Sequence, residues 1–257
     1  MANGPAFDEA VGVAKTLPRL SVGCHVVLTD GTPVLAADGL KSITSDSHFR
    51  DGMVIFAARA IAGAMNPGEI SAETEAQIRK IQAAGVHVSH IDTHKHTHLF
   101  PKILHPVLKA AAACGVRAVR NPFGPRRPFV STELAKSHGS WTRRTEVRIL
   151  SSFASKFRDA VDREGFATPE GTLGIVVTGV LDETLFHAIA RTIPEGTWEF
   201  VCHPGYVDAD LQGAKTRLRE SREVELRVLT LPAARAVLSQ EGIELISYHE
   251  LRGIPGA

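Results

Sequence analysis

Several functions are excluded by what this chain has little of. It carries three cysteines, Cys24, Cys114 and Cys202, with no CxxC spacing among them, so neither a disulfide framework nor a cysteine-built zinc site is expected. Their odd number and wide spacing read as reduced thiols in a cytoplasmic protein. There is no surplus of one charge: 29 Lys+Arg stand against 28 Asp+Glu, and the isoelectric point is about 7.9. A phosphate-binding face of the kind that dominates nucleic-acid affinity is therefore not expected. No stretch of about 18 uncharged apolar residues occurs, so no transmembrane segment is expected. The opening Met1-Ala-Asn-Gly-Pro-Ala-Phe-Asp-Glu9 has neither the basic nor the apolar region of a signal peptide. G-x-S-x-G, the phosphate-binding loop and G-x-G-x-x-G are all missing, which leaves serine-hydrolase, kinase and dinucleotide chemistry without support. No internal repeat or low-complexity tract is found.

What is present is an ordinary globular composition over 257 residues, 44% apolar and 22% charged. That length builds a large core without metal or disulfide support. Short Val/Ile-rich runs alternate with segments of helical period, the pattern of βα units around a mostly parallel sheet. Strands are expected at Leu20–Leu28, Val86–His94, Ala118–Arg120, Gly174–Val177, Trp198–Cys202 and Ile243–Ile246. Helices are expected at Phe7–Lys15, at Ser71–Ala84 with Ser71 as cap and Gly85 as stop, at Pro101–Cys114 and around Lys215–Leu229. The segment Asn121–Arg144, broken by Pro122, Gly124, Pro125 and Pro128, reads as a long functional loop. No linker is convincing enough to split the chain, so a single domain over residues 1–257 is the simplest reading.

Histidine is the unusual residue: 12 in all, five of them between Val86 and Leu99. In the run His90-Ile-Asp92-Thr-His94-Lys-His96-Thr-His98, strand alternation would put Asp92, His94, His96 and His98 on one face. Three imidazoles beside a carboxylate suit a Zn²⁺-type ion, with Asp92 able to orient a ligating ring through its second N–H. The plainer alternative is a wet strand edge with surface histidines. His25, before the Thr29-Asp30-Gly31 turn, and His203, before Pro204-Gly205, also end strands. Singly, either could be a structural histidine; together with His94 they favour one site at the C-terminal edge of a parallel sheet. Cys24 and Cys202 precede these histidines, but neighbours in a strand face opposite ways, so both thiols are expected to be small core residues rather than nucleophiles.

Three segments, Val22-Gly-Cys-His25-Val-Val-Leu-Thr-Asp-Gly-Thr-Pro33, His90 to Pro101, and Glu199-Phe-Val-Cys-His203-Pro-Gly-Tyr206, resemble the YdjC-like carbohydrate deacetylase family, in particular its branch associated with hopanoid biosynthesis. Ser221-Arg-Glu-Val-Glu225-Leu226 is similar to the family's Arg-Glu-x-Glu-Leu helix. The resemblance implies a distorted (β/α) TIM-like barrel and a divalent metal, magnesium or zinc, that serves hydrolysis of an N-acetyl group on an amino sugar or glycolipid. Carried over, His25 and His94 would be metal ligands and His96 a further ligand or its close support, with His98 also near the ion. His203 would act as acid or on the oxyanion side. Arg120 could hold a sugar hydroxyl or phosphate, or be a surface charge. The resemblance breaks at one point: family members open on an Ala-Asp-Asp-Phe-Gly strand whose aspartates serve as base and ligand, and no Asp-Asp pair occurs here. A barrel without its first βα unit is therefore expected, with unpaired strand edges that favour association into homo-oligomers. A catalytically impaired chain that keeps metal or sugar binding is the alternative to an active deacetylase.

Overall fold

In the computed structural model, residues 1–50, 52–125, 153–214 and 216–251 are described. They form two compact units, one from residues 1–122, 153–168 and 247–251, the other from 123–125 and 169–246. Most of the expected loop Asn121–Arg144 lies outside the described residues.

The first unit opens with α1 (Phe7–Thr16) and β1 (Val22–Val26), followed by a small antiparallel hairpin of β2 (Thr44–Ser45) and β3 (His48–Phe49), then α2 (Met53–Ala62), α3 (Pro67–Ala83), β4 (Val88–Thr93), α4 (Pro101–Ala113) and α5 (Ala154–Glu164). β1 and β4 pair in parallel, with His25 opposite Asp92 and Val26 opposite Thr93. Single parallel bridges extend this ribbon from Ile91 to Val119 and from Ala118 to Ala167. Cys24, Val26, Ile91 and Val119 are wholly buried, as are Ile78 of α3 and Ile103, Leu104, Val107 and Leu108 of α4. One face of β1 is enclosed, at Cys24 and Val26, while Val22, Gly23 and His25 are partly exposed.

α3 begins four residues earlier than its apolar period alone implies. Asn66 accepts a hydrogen bond from the Gly68 N–H and Pro67 occupies the first turn, where its missing N–H is no loss. Its buried face carries Glu73 and Gln77, both fully enclosed. Glu73 accepts the Val34 and Leu35 N–H groups at 2.8 and 3.0 Å and the Gln77 side-chain amide at 2.8 Å. Gln77 in turn bonds both the N–H and the carbonyl of Val27. This chain of bonds fixes where the backbone goes after β1. Glu73→Ala would strand two backbone donors and one amide, and is expected to lower unfolding free energy by about 3 kcal/mol in urea titration.

The second unit contains β5 (Gly171–Leu173), α6 (Glu183–Ala190), β6 (Trp198–Phe200), α7 (Ala209–Gly213), α8 (Glu220–Thr230) and α9 (Pro232–Gln240). β5 and β6 are parallel neighbours, Gly171 opposite Trp198 and Leu173 opposite Phe200. Leu173, Val177, Phe186, Ile189, Val228 and Val237 make its core. A last short helix, α10 (Tyr248–Leu251), returns to the first unit, where Tyr248 stacks on His90 with ring centroids 3.7 Å apart. Gly23, beside the same imidazole, leaves no room for a side chain: a Cβ would lie 2.4 Å from His90 Nε2.

Three expectations need correction. The described residues show no closed barrel; their strands form three two-stranded sheets and isolated bridges. The strand expected at Gly174–Val177 ends before it begins, because β5 stops at Leu173 and Gly174 turns the chain at φ +92°. Its Cβ position lies 2.2 Å from the Val201 carbonyl, so only glycine fits. Ile243–Ile246 pairs with no described strand, and Leu245 and Ile246 are exposed; apolar character alone does not make a strand without a ladder partner.

Candidate active site

The C-terminal ends of β1, β4 and the segment ending at Arg120 lie side by side because all three run parallel. As expected from alternation, Cys24 and Val26 face the core while His25 is half-exposed. Burial pushes the Cys24 thiol up to about 12, so it is a small apolar residue and not a nucleophile.

Alternation beyond Thr93 does not hold. β4 ends there, and residues 94–99 form tight helical turns in which Lys95 and His96 both take left-handed backbone at φ 54°. Asp30, across from them, is also left-handed at φ 55°. Such conformations are disfavoured for residues with a Cβ and persist where the surroundings hold them. Here Lys95 Nζ donates to Asp30 Oδ2 at 2.5 Å, and His98 closes the turn from behind. The His98 N–H donates to Thr93 Oγ1 at 3.0 Å, His98 Nδ1 lies 2.6 Å from the same hydroxyl, and His98 Nε2 lies 2.9 Å from the Arg120 carbonyl. A carbonyl only accepts, so Nε2 carries the hydrogen and Nδ1 takes the Thr93 hydroxyl proton. His98 is thus a neutral tether between two strand ends, fully buried, and not a ligand.

Burial, followed by the neighbouring His96, holds the His98 ring down to about 3 against an ordinary 6.5. The unfolded chain therefore takes up a proton below 6.5 that the folded chain refuses until much lower pH. Stability from this group is full above 6.5 and is lost as pH falls, by about 1.4 kcal/mol per unit. Urea unfolding at pH 7 and pH 5 should show that loss, and His98→Gln should flatten the slope.

What the turn achieves is a meeting of two imidazoles. His25 Nε2 and His94 Nδ1 are 3.4 Å apart, their rings edge-on at 77°. Behind them Asp92, buried, accepts with one oxygen, Oδ2, from His25 Nδ1 at 2.7 Å and from Arg120 Nη1 at 2.5 Å. Burial pushes the Asp92 carboxyl up, but the His25 and Arg120 charges and their bonds outweigh it and hold it well below the ordinary range. An ionised carboxylate only accepts, so His25 Nδ1 keeps its hydrogen, and in the neutral ring Nε2 is the nitrogen whose lone pair faces His94. His94 is held down to about 4, by burial first and then by the charges of His25 and Lys95. Its neighbour Asp30, 3.9 Å from Nε2, is itself held low: burial pushes it up, and the Lys95 ammonium and the Gly52 N–H more than offset that.

Two imidazole nitrogens at this spacing, each neutral when it ligates, suit a cation. A tetrahedral zinc ion bound at about 2.0–2.1 Å to each of two imidazoles separates their nitrogens by about 3.4 Å. Among the described residues no three His, Cys, Asp or Glu side chains are grouped so as to hold an ion. The pair therefore fits two corners of a metal site. The His96 ring lies 6.4 Å from the His98 ring. Arg120, expected either to touch substrate or to lie on the surface, has its side chain 15% exposed and paired to Asp92. That pairing, and the Lys95–Asp30 contact, were invisible in the sequence, since each joins residues far apart in the chain without a motif.

His203 belongs to the second unit, three residues past the end of β6. Its backbone N–H donates to Glu225 Oε2 of α8, and Glu225 is buried.

A mixed α/β fold with paired imidazoles at the C-terminal ends of parallel strands places the chain among α/β proteins with strand-end sites. The YdjC-like protein family profile matches residues 1–240, and the chain belongs to that family. It is 32% identical over 253 residues to a carbohydrate deacetylase of Listeria monocytogenes serotype 4a (strain HCC23), covering 98% of this chain and 86% of that protein. A carbohydrate deacetylase of Brevibacillus brevis is 30% identical, with the same coverage. A crystal structure from Enterococcus faecalis V583, of a protein assigned to cellobiose-phosphate cleavage, superposes with TM-score 0.73 over 98% of this chain and 85% of that one at 22% identity, a likeness of fold.

Proposed function

We propose that this chain is a metal-dependent carbohydrate deacetylase that hydrolyses the N-acetyl group of an amino sugar. The observation that carries the reading is the His25–His94 pair at 3.4 Å, backed by Asp92 and Arg120, in a chain whose relatives are named carbohydrate deacetylases. His25 and His94 hold the divalent cation; imidazole donors favour zinc over magnesium, which prefers oxygen. A cation there supplies Lewis acidity for amide hydrolysis. Asp92 fixes the tautomer and direction of His25, and Arg120 keeps Asp92 ionised. By the family resemblance, His203 is the candidate for the acid that such a hydrolysis needs. The resemblance to the hopanoid-associated branch extends the substrate class to an amino sugar carried on a glycolipid. Three free cysteines favour a reducing cytoplasm as the place of reaction, and no described helix is long and apolar enough to cross a membrane. Acetate release from N-acetylglucosamine oligomers and N-acetylated glycolipids, before and after chelation and with Zn²⁺ or Mg²⁺ restored, tests the reading. No release under any of these conditions sinks it.

A second reading is favoured by the lack of a three-residue ligand group among the described residues. In it the chain binds metal or sugar without turning substrate over. Calorimetry that shows zinc or chitobiose binding, with no acetate released, decides for it.

A further inference from the structure

The Arg222–Glu225 segment of α8 has no part in the reading above, yet it holds the loop that follows β6. Three alternate residues of that loop donate their backbone N–H groups to it: His203 to Glu225 Oε2, Gly205 to the Arg222 carbonyl at 3.2 Å, and Val207 to Glu223 Oε1 at 3.2 Å. Pro204, between the first two, has no N–H to place. Glu225 differs from the other two partners because it is buried, 1% exposed, next to the core residue Val228. A carboxylate is a costly choice for an interior position unless it bonds something that matters, and an apolar side chain would fill the same space. The bond it makes falls on the backbone of His203.

We propose that Glu225 is the positioning residue for His203: its buried carboxylate fixes the His203 backbone, and so the origin of the imidazole. This rests on the reading of His203 as the acid. Positioning of this kind acts on the chemical step, where a misplacement of about 1 Å costs roughly 100-fold.

The test uses the full-length protein with zinc and an N-acetylglucosamine oligomer, together with amide hydrogen exchange at His203. Glu225→Leu is expected to lower kcat by about 100-fold with KM little changed, and to speed exchange of the His203 amide. Glu225→Gln, which keeps an oxygen acceptor, is expected to retain amide protection and most of the activity. In a His203→Gln background, Glu225→Leu should cost nothing further. The proposal is overturned if Glu225→Leu costs the same in both backgrounds, or if His203 amide exchange is unchanged. Should the leucine variant fail to fold, Glu225→Gln still decides: loss of amide protection at full activity overturns it. Full turnover by His203→Gln with the amide contact intact overturns the acid reading instead, and with it the catalytic purpose assigned to Glu225.

Discussion

His94→Ala is expected to reduce acetate release by about 100- to 1,000-fold and to abolish stoichiometric zinc uptake at micromolar metal. Loss of either imidazole leaves one nitrogen where two stand 3.4 Å apart, and the several kcal/mol that a Lewis acid supplies to amide hydrolysis go with the cation. His25→Ala should behave alike. The two effects should not add, since either variant already empties the pair. The His94 ring is 28% exposed, so unfolding free energy should change little in His94→Ala, whereas His25→Ala also takes a bond from buried Asp92 and should cost stability. That separates a ligand role from a structural one. Zinc titration followed by metal analysis reads the prediction independently of any substrate, and an alanine variant that still takes up one zinc would remove His94 from the site.

How much of this could be read from the sequence depends on the range of the interaction. The β1 and β4 strands were legible as Val/Ile-rich runs, and β1's alternation placed Cys24 inside and His25 outside. The strand-end histidines followed from the same period. His98 was misplaced because a period of two holds only while the strand lasts. Lys95 and His96 have no strong preference for left-handed backbone, and the contacts that hold them there, Asp30 to Lys95 and His98 to the Arg120 carbonyl, cross 65 and 22 residues. Arg120 was seen as a strand-end cation, but its partner could not be. The start of α3 was available locally: Asn66-Pro67 with Glu69 three residues after the cap is a helix-start signal stronger than Ser71. Barrel closure was not legible at all, since it depends on every strand finding two neighbours, and the residues that would decide it carry no local sign.

Asp92→Asn is the change that should damage both stability and chemistry. Asp92 Oδ2 is shared by His25 and Arg120 inside the protein. Removing its charge takes the Asp92 carboxylate away from the mostly buried Arg120 guanidinium, which costs about 3–5 kcal/mol for a buried pair broken on one side. The asparagine can also turn its amide N–H toward His25 Nδ1, which reverses the imidazole tautomer and puts a hydrogen on Nε2 where a lone pair is needed. Zinc affinity should therefore fall by about 10- to 100-fold. The double variant Asp92→Asn/Arg120→Met separates the two consequences. Without the cation the buried charge is gone, so most of the lost stability should return in urea titration, while zinc affinity stays low because the tautomer is still wrong. If the double variant recovers zinc binding along with stability, Asp92 acts only as a partner for Arg120, and the direction of His25 is set by something else.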